Sequence, residues 1–93
     1  MNRRDKPERK KAVALSYDRA NDNAPRVAAK GAGFIAEKIL ELARLHNIPI
    51  REDRDLVETL AALDLNQEVP AHLYHVIAEV LAWVYKMNSQ YGK

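Results

Sequence analysis

Lys11-Ala12-Val13-Ala14-Leu15 and Ala24-Pro25-Arg26-Val27-Ala28-Ala29-Lys30-Gly31 are the two stretches that decide the fold. The first continues through Ser16 and Tyr17 and alternates. Val13, Leu15 and Tyr17 fall on one face and Ala12, Ala14 and Ser16 on the other, the period-two pattern of a strand over 12–17. The connector that follows holds Asn21-Asp22-Asn23, residue types that favour a turn. A second strand runs over 26–30 and Gly31 ends it. The connector is too short for a crossover, so the two strands are expected to be antiparallel neighbours. Gly31 is expected to let the chain turn sharply into a helix, and Gly33 to allow close approach of that helix to the sheet.

Helical spacing governs the rest of the chain. A helix is predicted over 32–46, with Ile35, Ile39, Leu42 and Ala43 as its seam, Phe34 and Leu45 on the flanks, and Asn47 closing it. Residues 48–51 read as a third strand, with Pro49 at its start or at a sheet edge. A helix between the second and third strands makes a βαβ unit, so the third strand is expected to lie parallel to the second. Asp53 is a natural N-cap for a short helix over 54–63 that buries Leu56, Val57 and Leu60, with Leu63 at its end as a further candidate. Residues 64–69 read as a bend, and Pro70 opens a last helix over 70–87 whose seam is Leu73, Ile77, Val80, Leu81 and Val84. The predicted fold class is mixed α/β: a small three-stranded mixed sheet in the order β-β-α-β-α-α, packed by three helices. Ile39, Leu60, Ile77 and Leu81 are the expected core.

A chain of 93 residues supports one modest core and therefore one domain, placed at 11–93 behind a basic tail at 1–10 that is expected to be disordered. Among the first eleven residues six basic side chains face two acidic ones, whereas from Ala12 onward nine basic residues face eleven acidic ones. The basic pI therefore belongs to the tail and the body is slightly acidic. Cysteine is absent, which removes disulfides and thiolate chemistry. No apolar run approaches the roughly 18 residues needed to span a bilayer, so membrane contact is expected only through a partner.

Candidate chemistry is sparse. His46, His72 and His75 lack a motif that would complete a zinc site and read as helix-surface or helix-end residues. Glu52, Asp53 and Asp55 cluster where a helix N-terminus attracts carboxylates. Lys30-Gly31-Ala32-Gly33 lacks both the Walker order and the three-glycine dinucleotide fingerprint. The strands offer only Tyr17, too little for an RNA-binding aromatic platform. No catalytic residues, cofactor or metal ligands are assigned. Three side chains stand out as candidate partner contacts: Lys30, at a strand end beside a helix N-terminus, and Trp83 and Tyr85 on the last helix. Trp83 also reads as core margin.

These segments, taken in order, resemble the cytoplasmic C-terminal domain of the FlhB, YscU, EscU and SpaS family, the substrate-specificity switch of flagellar and type III secretion export gates. The family pattern is a cleavage motif, Asn-Pro-Thr-His, then Tyr-Ala-Val-Ala-Leu, Ala-Pro-x-Val-x-Ala-Lys-Gly, an Ile-Pro-Ile/Val strand, Gly-Gln-Glu-Ile-Pro and Ala-Glu-Val-Leu-Ala-x-Val-Tyr. Here stand Ala12-Val13-Ala14-Leu15, Ala24 to Gly31, Ile48-Pro49-Ile50, Asn66-Gln67-Glu68-Val69-Pro70 and Ala78-Glu79-Val80-Leu81-Ala82-Trp83-Val84-Tyr85, covering about residues 11–87. The cleavage motif would fall on Pro7-Glu8-Arg9-Lys10, which carries none of it. In the family the asparagine side-chain amide attacks its own carbonyl carbon and closes a succinimide; without it, self-cleavage is not expected.

The resemblance implies a cytoplasmic protein-binding module, a free-standing counterpart of the cleaved switch fragment. Its partners would be export-gate components or export substrates, with no small-molecule substrate and no cofactor. A basic-tailed nucleic-acid- or ribosome-associated protein is the alternative. A basic stripe running from the tail onto the fold would favour that alternative, and an apolar groove the export reading.

Overall fold

The structure, a computed structural model, describes residues 10–91, with side chains through residue 88. Two strands, β1 (Lys11–Ser16) and β2 (Arg26–Ala32), are followed by helices α1 (Phe34–Leu45) and α2 (Arg54–Ala61), a 3₁₀ turn (Ala71–Leu73) and α3 (Tyr74–Tyr91). β1 and β2 pair antiparallel as expected, with Ala12 opposite Gly31, Ala14 opposite Ala29 and Leu15 opposite Val27. Ala28 has no partner across the ladder, so β2 carries a bulge there.

The ribbon has two unlike faces. Ala12, Ala14, Ala29 and Gly31 form a face of small residues, and α1 lies across it, burying Ala36. On the other face Val13 and Leu15 pack against Leu60 of α2, Val69 and Ile77 of α3. Lys11 follows the same alternation and its ammonium meets Glu58 of α2 at 2.8 Å, while Lys10 reaches Glu37 of α1 at 3.1 Å.

The expected third strand is absent: among the described residues the sheet has two strands, not three. The cause lies in how α1 ends. Asn47 takes a left-handed conformation (φ 57°). Its N–H donates to the Arg44 carbonyl, and the Ile48 N–H donates to the Ala43 carbonyl at 2.8 Å. This is a Schellman cap. It uses the Ile48 donor, and Pro49 has none, so two consecutive residues have no N–H to give to a ladder. The segment that does approach the sheet is one read as a bend. Asn66 (φ 68°) turns the chain back, and Glu68 bridges Arg26 in antiparallel sense. Val27 N–H donates to Gln67 O, Asn66 N–H to Val27 O and Val69 N–H to Pro25 O, at 3.0, 2.7 and 2.8 Å. Arg26 adds a 3.0 Å bond to the Asn66 carbonyl and an ion pair with Glu68.

Helix bounds shift for equally local reasons. α2 starts where expected, with the Asp53 carboxylate accepting from the Leu56 N–H at 3.1 Å, but ends at Ala61. The 70–87 helix opens as a 3₁₀ turn after Pro70, and α3 proper runs from Tyr74 to Tyr91. β2 runs through Gly31 to Ala32, so the two glycines exchange their expected roles. Gly33 makes the sharp turn (φ 60°, ψ −125°), a conformation open to glycine alone. Gly31 permits the close approach: a Cβ there would stand 2.7 Å from the Ile35 Cβ.

The core follows these contacts. Leu60 (4% exposed) and Ile77 (2%) are buried as expected, whereas Ile39 and Leu81 are half-buried. Because Ala36 is the residue that faces the small-residue side of the sheet, the α1 seam is displaced. Ile35 and Leu42 are exposed, and so are Phe34 and Leu45 at its ends.

Glycine inside a strand ordinarily weakens it relative to alanine, so the sign of Gly31→Ala is informative. A loss of about 1–3 kcal/mol is expected, as for overpacking. Ile35→Ala in the same chain should return only part of it, because the Ile35 Cβ remains. Urea melts are the check, and a stabilised Gly31→Ala would show that α1 does not press on the sheet.

Candidate functional site

A shallow apolar groove of about 190 Å³ lies between the loop after β1 and the first half of α3. Tyr17, Asn23, Ala24 and Pro25 form one wall, and Tyr74, Ile77, Ala78 and Leu81 the other. The α3 wall follows from helical spacing: positions i, i+4 and i+7 put Tyr74, Ala78 and Leu81 on one face. Ile77 turns inward and joins the core, so the groove floor is continuous with it. Ala78 has only a methyl group, and its exposure leaves the space open.

The loop wall is braced by its own polar groups. The Asp18 carboxylate accepts from the Asn21 side-chain amide at 2.6 Å and from the Ala20 N–H at 3.0 Å. Asn21 N–H and Asp22 N–H both donate to the Asp18 carbonyl, and the Asp22 carboxylate accepts from the Asp18 N–H. The Asn21 amide, with the Ala20 N–H, holds the Asp18 carboxyl below the usual carboxylate range. A lowered value means the brace is fully present above the ordinary carboxylate pKa and is lost as pH falls through the lowered one. At the tip of this loop the Arg19 guanidinium sits 5.2 Å from the centre of the Tyr85 ring.

The three side chains singled out from sequence are not brought together. Tyr85 continues the 74-78-81 face of α3, one turn beyond Leu81, the last helix residue that lines the groove. Trp83, two positions from both Leu81 and Tyr85, falls on the opposite side of the helix and is half-buried. Lys30 lies under α2, where its ammonium donates to the carbonyls of Ala61 and Leu63 at 3.1 and 2.6 Å. It lines a separate recess with Lys11, Gly31, Ala32 and Ala61. Sequence reasoning missed Tyr17, Ala24, Pro25 and Ala78 as site residues. Their only signal was an apolar Ala-Pro pair closing an otherwise polar loop.

Elsewhere the surface shows little concentrated chemistry. His46, His72 and His75 are exposed, and among the described residues no cluster of three or more potential metal ligands occurs. None of the described helices is long and apolar enough to cross a membrane. Where the chain enters the fold, Lys10 and Lys11 are matched by Glu37 and Glu58, so no unpaired basic stripe begins there.

Known proteins resemble this chain in sequence and in fold. YlqH of Bacillus subtilis, an uncharacterized protein, is 43% identical over 80 residues, which is 86% of each chain. The flagellar biosynthetic protein FlhB of Yersinia enterocolitica is 47% identical over 78 residues, 83% of this chain and 20% of its own length. The chain thus spans about a fifth of that protein. The crystal structure of the cytoplasmic domain of FlhB from Shewanella putrefaciens superposes with a TM-score of 0.82 at 38% identity, over 89% of this chain and 66% of that one. Residues 9–84 match the family described by FlhB, HrpN, YscU and SpaS, and the chain belongs to that family.

Proposed function

We propose that the chain is a protein-binding module of a flagellar or related type III export apparatus, docking at or substituting for the cleaved fragment of the specificity switch. The groove between loop 17–25 and α3 is the observation that carries this reading. It is apolar and open, it is built on a pre-formed frame, and it suits a short apolar segment of an export substrate or gate component rather than a small polar molecule. Binding would need no chemistry: the segment buries its apolar side chains against Tyr17, Pro25, Ala78 and Leu81. A site for the module beside a membrane-borne gate, on its cytoplasmic side, follows from the same reading.

The candidate contacts take different parts in this picture. Tyr85 extends the groove, and Trp83 offers a second, larger surface on the other side of α3 to a partner that wraps the helix. Lys30 serves a partner reaching the recess beneath α2. The matching of Lys10 and Lys11 with carboxylates favours protein binding over the nucleic-acid alternative.

The chain is further proposed to act uncut. Pro7-Glu8-Arg9-Lys10, of which residues 7–9 lie outside the described residues, offers no asparagine amide to close a succinimide. Arg and Lys side chains cannot make that ring, and a glutamate carboxylate resists losing oxygen at neutral pH. The purified chain should hold a single mass of about 10.6 kDa over days at room temperature. Spontaneous scission within 6–12, seen by mass spectrometry, would contradict this.

The groove itself is tested by two exposed positions on different helices. Ala78→Glu should weaken capture of a purified flagellar export substrate by about tenfold or more, the scale of a central interface residue. Leu42→Glu, on the outer face of α1, should change it less than about twofold. The opposite ranking in a titration would move the binding face to α1.

A further inference from the structure

We infer that Arg19 determines specificity at this groove, selecting partner segments that carry an acidic side chain beside their apolar anchor. The inference rests on reading the groove as the binding face. From Tyr74 to Tyr85 along α3 is about 16 Å, at 1.5 Å per residue. That length accommodates roughly five residues of extended chain. The lining named above, which runs as far as Leu81, is apolar or neutral, so anchoring by apolar side chains alone would accept many sequences. Beside it the loop carries Asp18, Arg19 and Asp22, and of these Arg19 is the one that reaches the Tyr85 ring.

Arg19 is suited to that end by three features. Its guanidinium lies against the Tyr85 ring. Such a contact holds the planar group in place while leaving N–H donors free for a carboxylate. The loop that carries it is already ordered by the Asp18, Asn21 and Asp22 hydrogen bonds, so little mobility is lost when a partner binds. Its charge is also uncommitted. The two nearest carboxylates in sequence, Asp18 and Asp22, accept from loop donors, and among the described residues no ion pair joins Arg19 to an acid. By contrast Lys10, Lys11, Arg26 and Lys38 each have a glutamate partner. A carboxylate arriving with the partner would meet Arg19 at an exposed rim, where one ion pair changes affinity by about two- to fivefold and is screened by salt. The apolar anchor would therefore set whether a segment binds, and Arg19 which one.

The test is selection from a displayed library of random nine-residue peptides against the full chain, Arg19→Gln and Ala78→Trp. Because Ala78 is exposed, the Trp variant should fill the groove and keep the fold, which its circular dichroism and melt would verify. If that variant unfolds, Ala78→Glu replaces it. The unaltered chain should enrich apolar anchors with Asp or Glu at a fixed offset. Arg19→Gln should enrich the same anchors without the acid, and Ala78→Trp neither. In an enriched peptide, Asp→Asn should weaken binding about two- to fivefold to the unaltered chain at low salt and leave Arg19→Gln unaffected. Anchors selected without an acidic preference, or a preference that survives Arg19→Gln, would overturn the role of Arg19 and leave the groove standing. No enrichment by the unaltered chain, or enrichment indifferent to Ala78→Trp, would remove the groove reading and the inference together.

Discussion

Three backbone hydrogen bonds between the start of β2 and the segment 66–69 hold the structure's working parts in relation to one another. They join Val27 to Gln67, Asn66 to Val27, and Val69 to Pro25. Pro25 is the last residue of the loop wall of the groove, and Val69 stands just before the Pro70 that opens the α3 segment. Both walls are therefore fixed from one clasp. Val27 and Val69 are fully buried there, which shields the bonds from water and makes breaking them costly. α3 itself meets the core through Ile77 and Leu81, with Leu73 of the preceding 3₁₀ turn beside them. Without the clasp, its angle to the loop would depend on those few side chains.

The sheet divides the remaining tasks by face. Its small-residue side brings α1 close enough that a single methyl at Gly31 would collide with Ile35. Its larger side chains meet α2 and α3 and make the core. Charges follow the same economy of space. Lys30 satisfies two carbonyls left without partners at the end of α2, as a cation near a helix C-terminus does well. Lys10 and Lys11 reach a carboxylate on each side of the ribbon. Among the described residues the fold leaves exposed an apolar groove with Arg19 at its end, the outer face of α1, and the side chains of Ile48, Leu65 and Val76.

How much of this could be read from the residues depended on the range of the interaction. The β1–β2 pairing, the Asp53 cap and the Asn47 stop are local, and each has a local signature. The third strand failed for a local reason too, but one of bookkeeping rather than pattern. Ile48-Pro49-Ile50 has strand composition, and only counting donors at the end of α1 shows that the first two have no N–H to give to a neighbouring strand. Segment 66–69 was hidden because its partner lies some 40 residues earlier and the pairing amounts to a single bridge. The α1 seam was misplaced because Ile35 and Leu42 outweigh Ala36 in any apolar count, while a sheet face built of alanine and glycine selects the smaller residue. For the groove there was no local signal beyond Ala24-Pro25. Its walls come from separate stretches, and its key α3 residue, Ala78, is distinguished by the size of the space it leaves.

The central claim is that the surface between loop 17–25 and α3 is where this chain meets its partners. An amide and methyl NMR titration of the isotopically labelled chain with a purified flagellar export substrate addresses it most directly. The account predicts that shifts concentrate on Tyr17, Ala24, Ala78 and Leu81, with Arg19 and Tyr85 following at the groove's end, while Phe34, Leu42 and Leu45 on α1 stay in place. Shifts centred on those three α1 residues, with the groove signals unmoved, would contradict it.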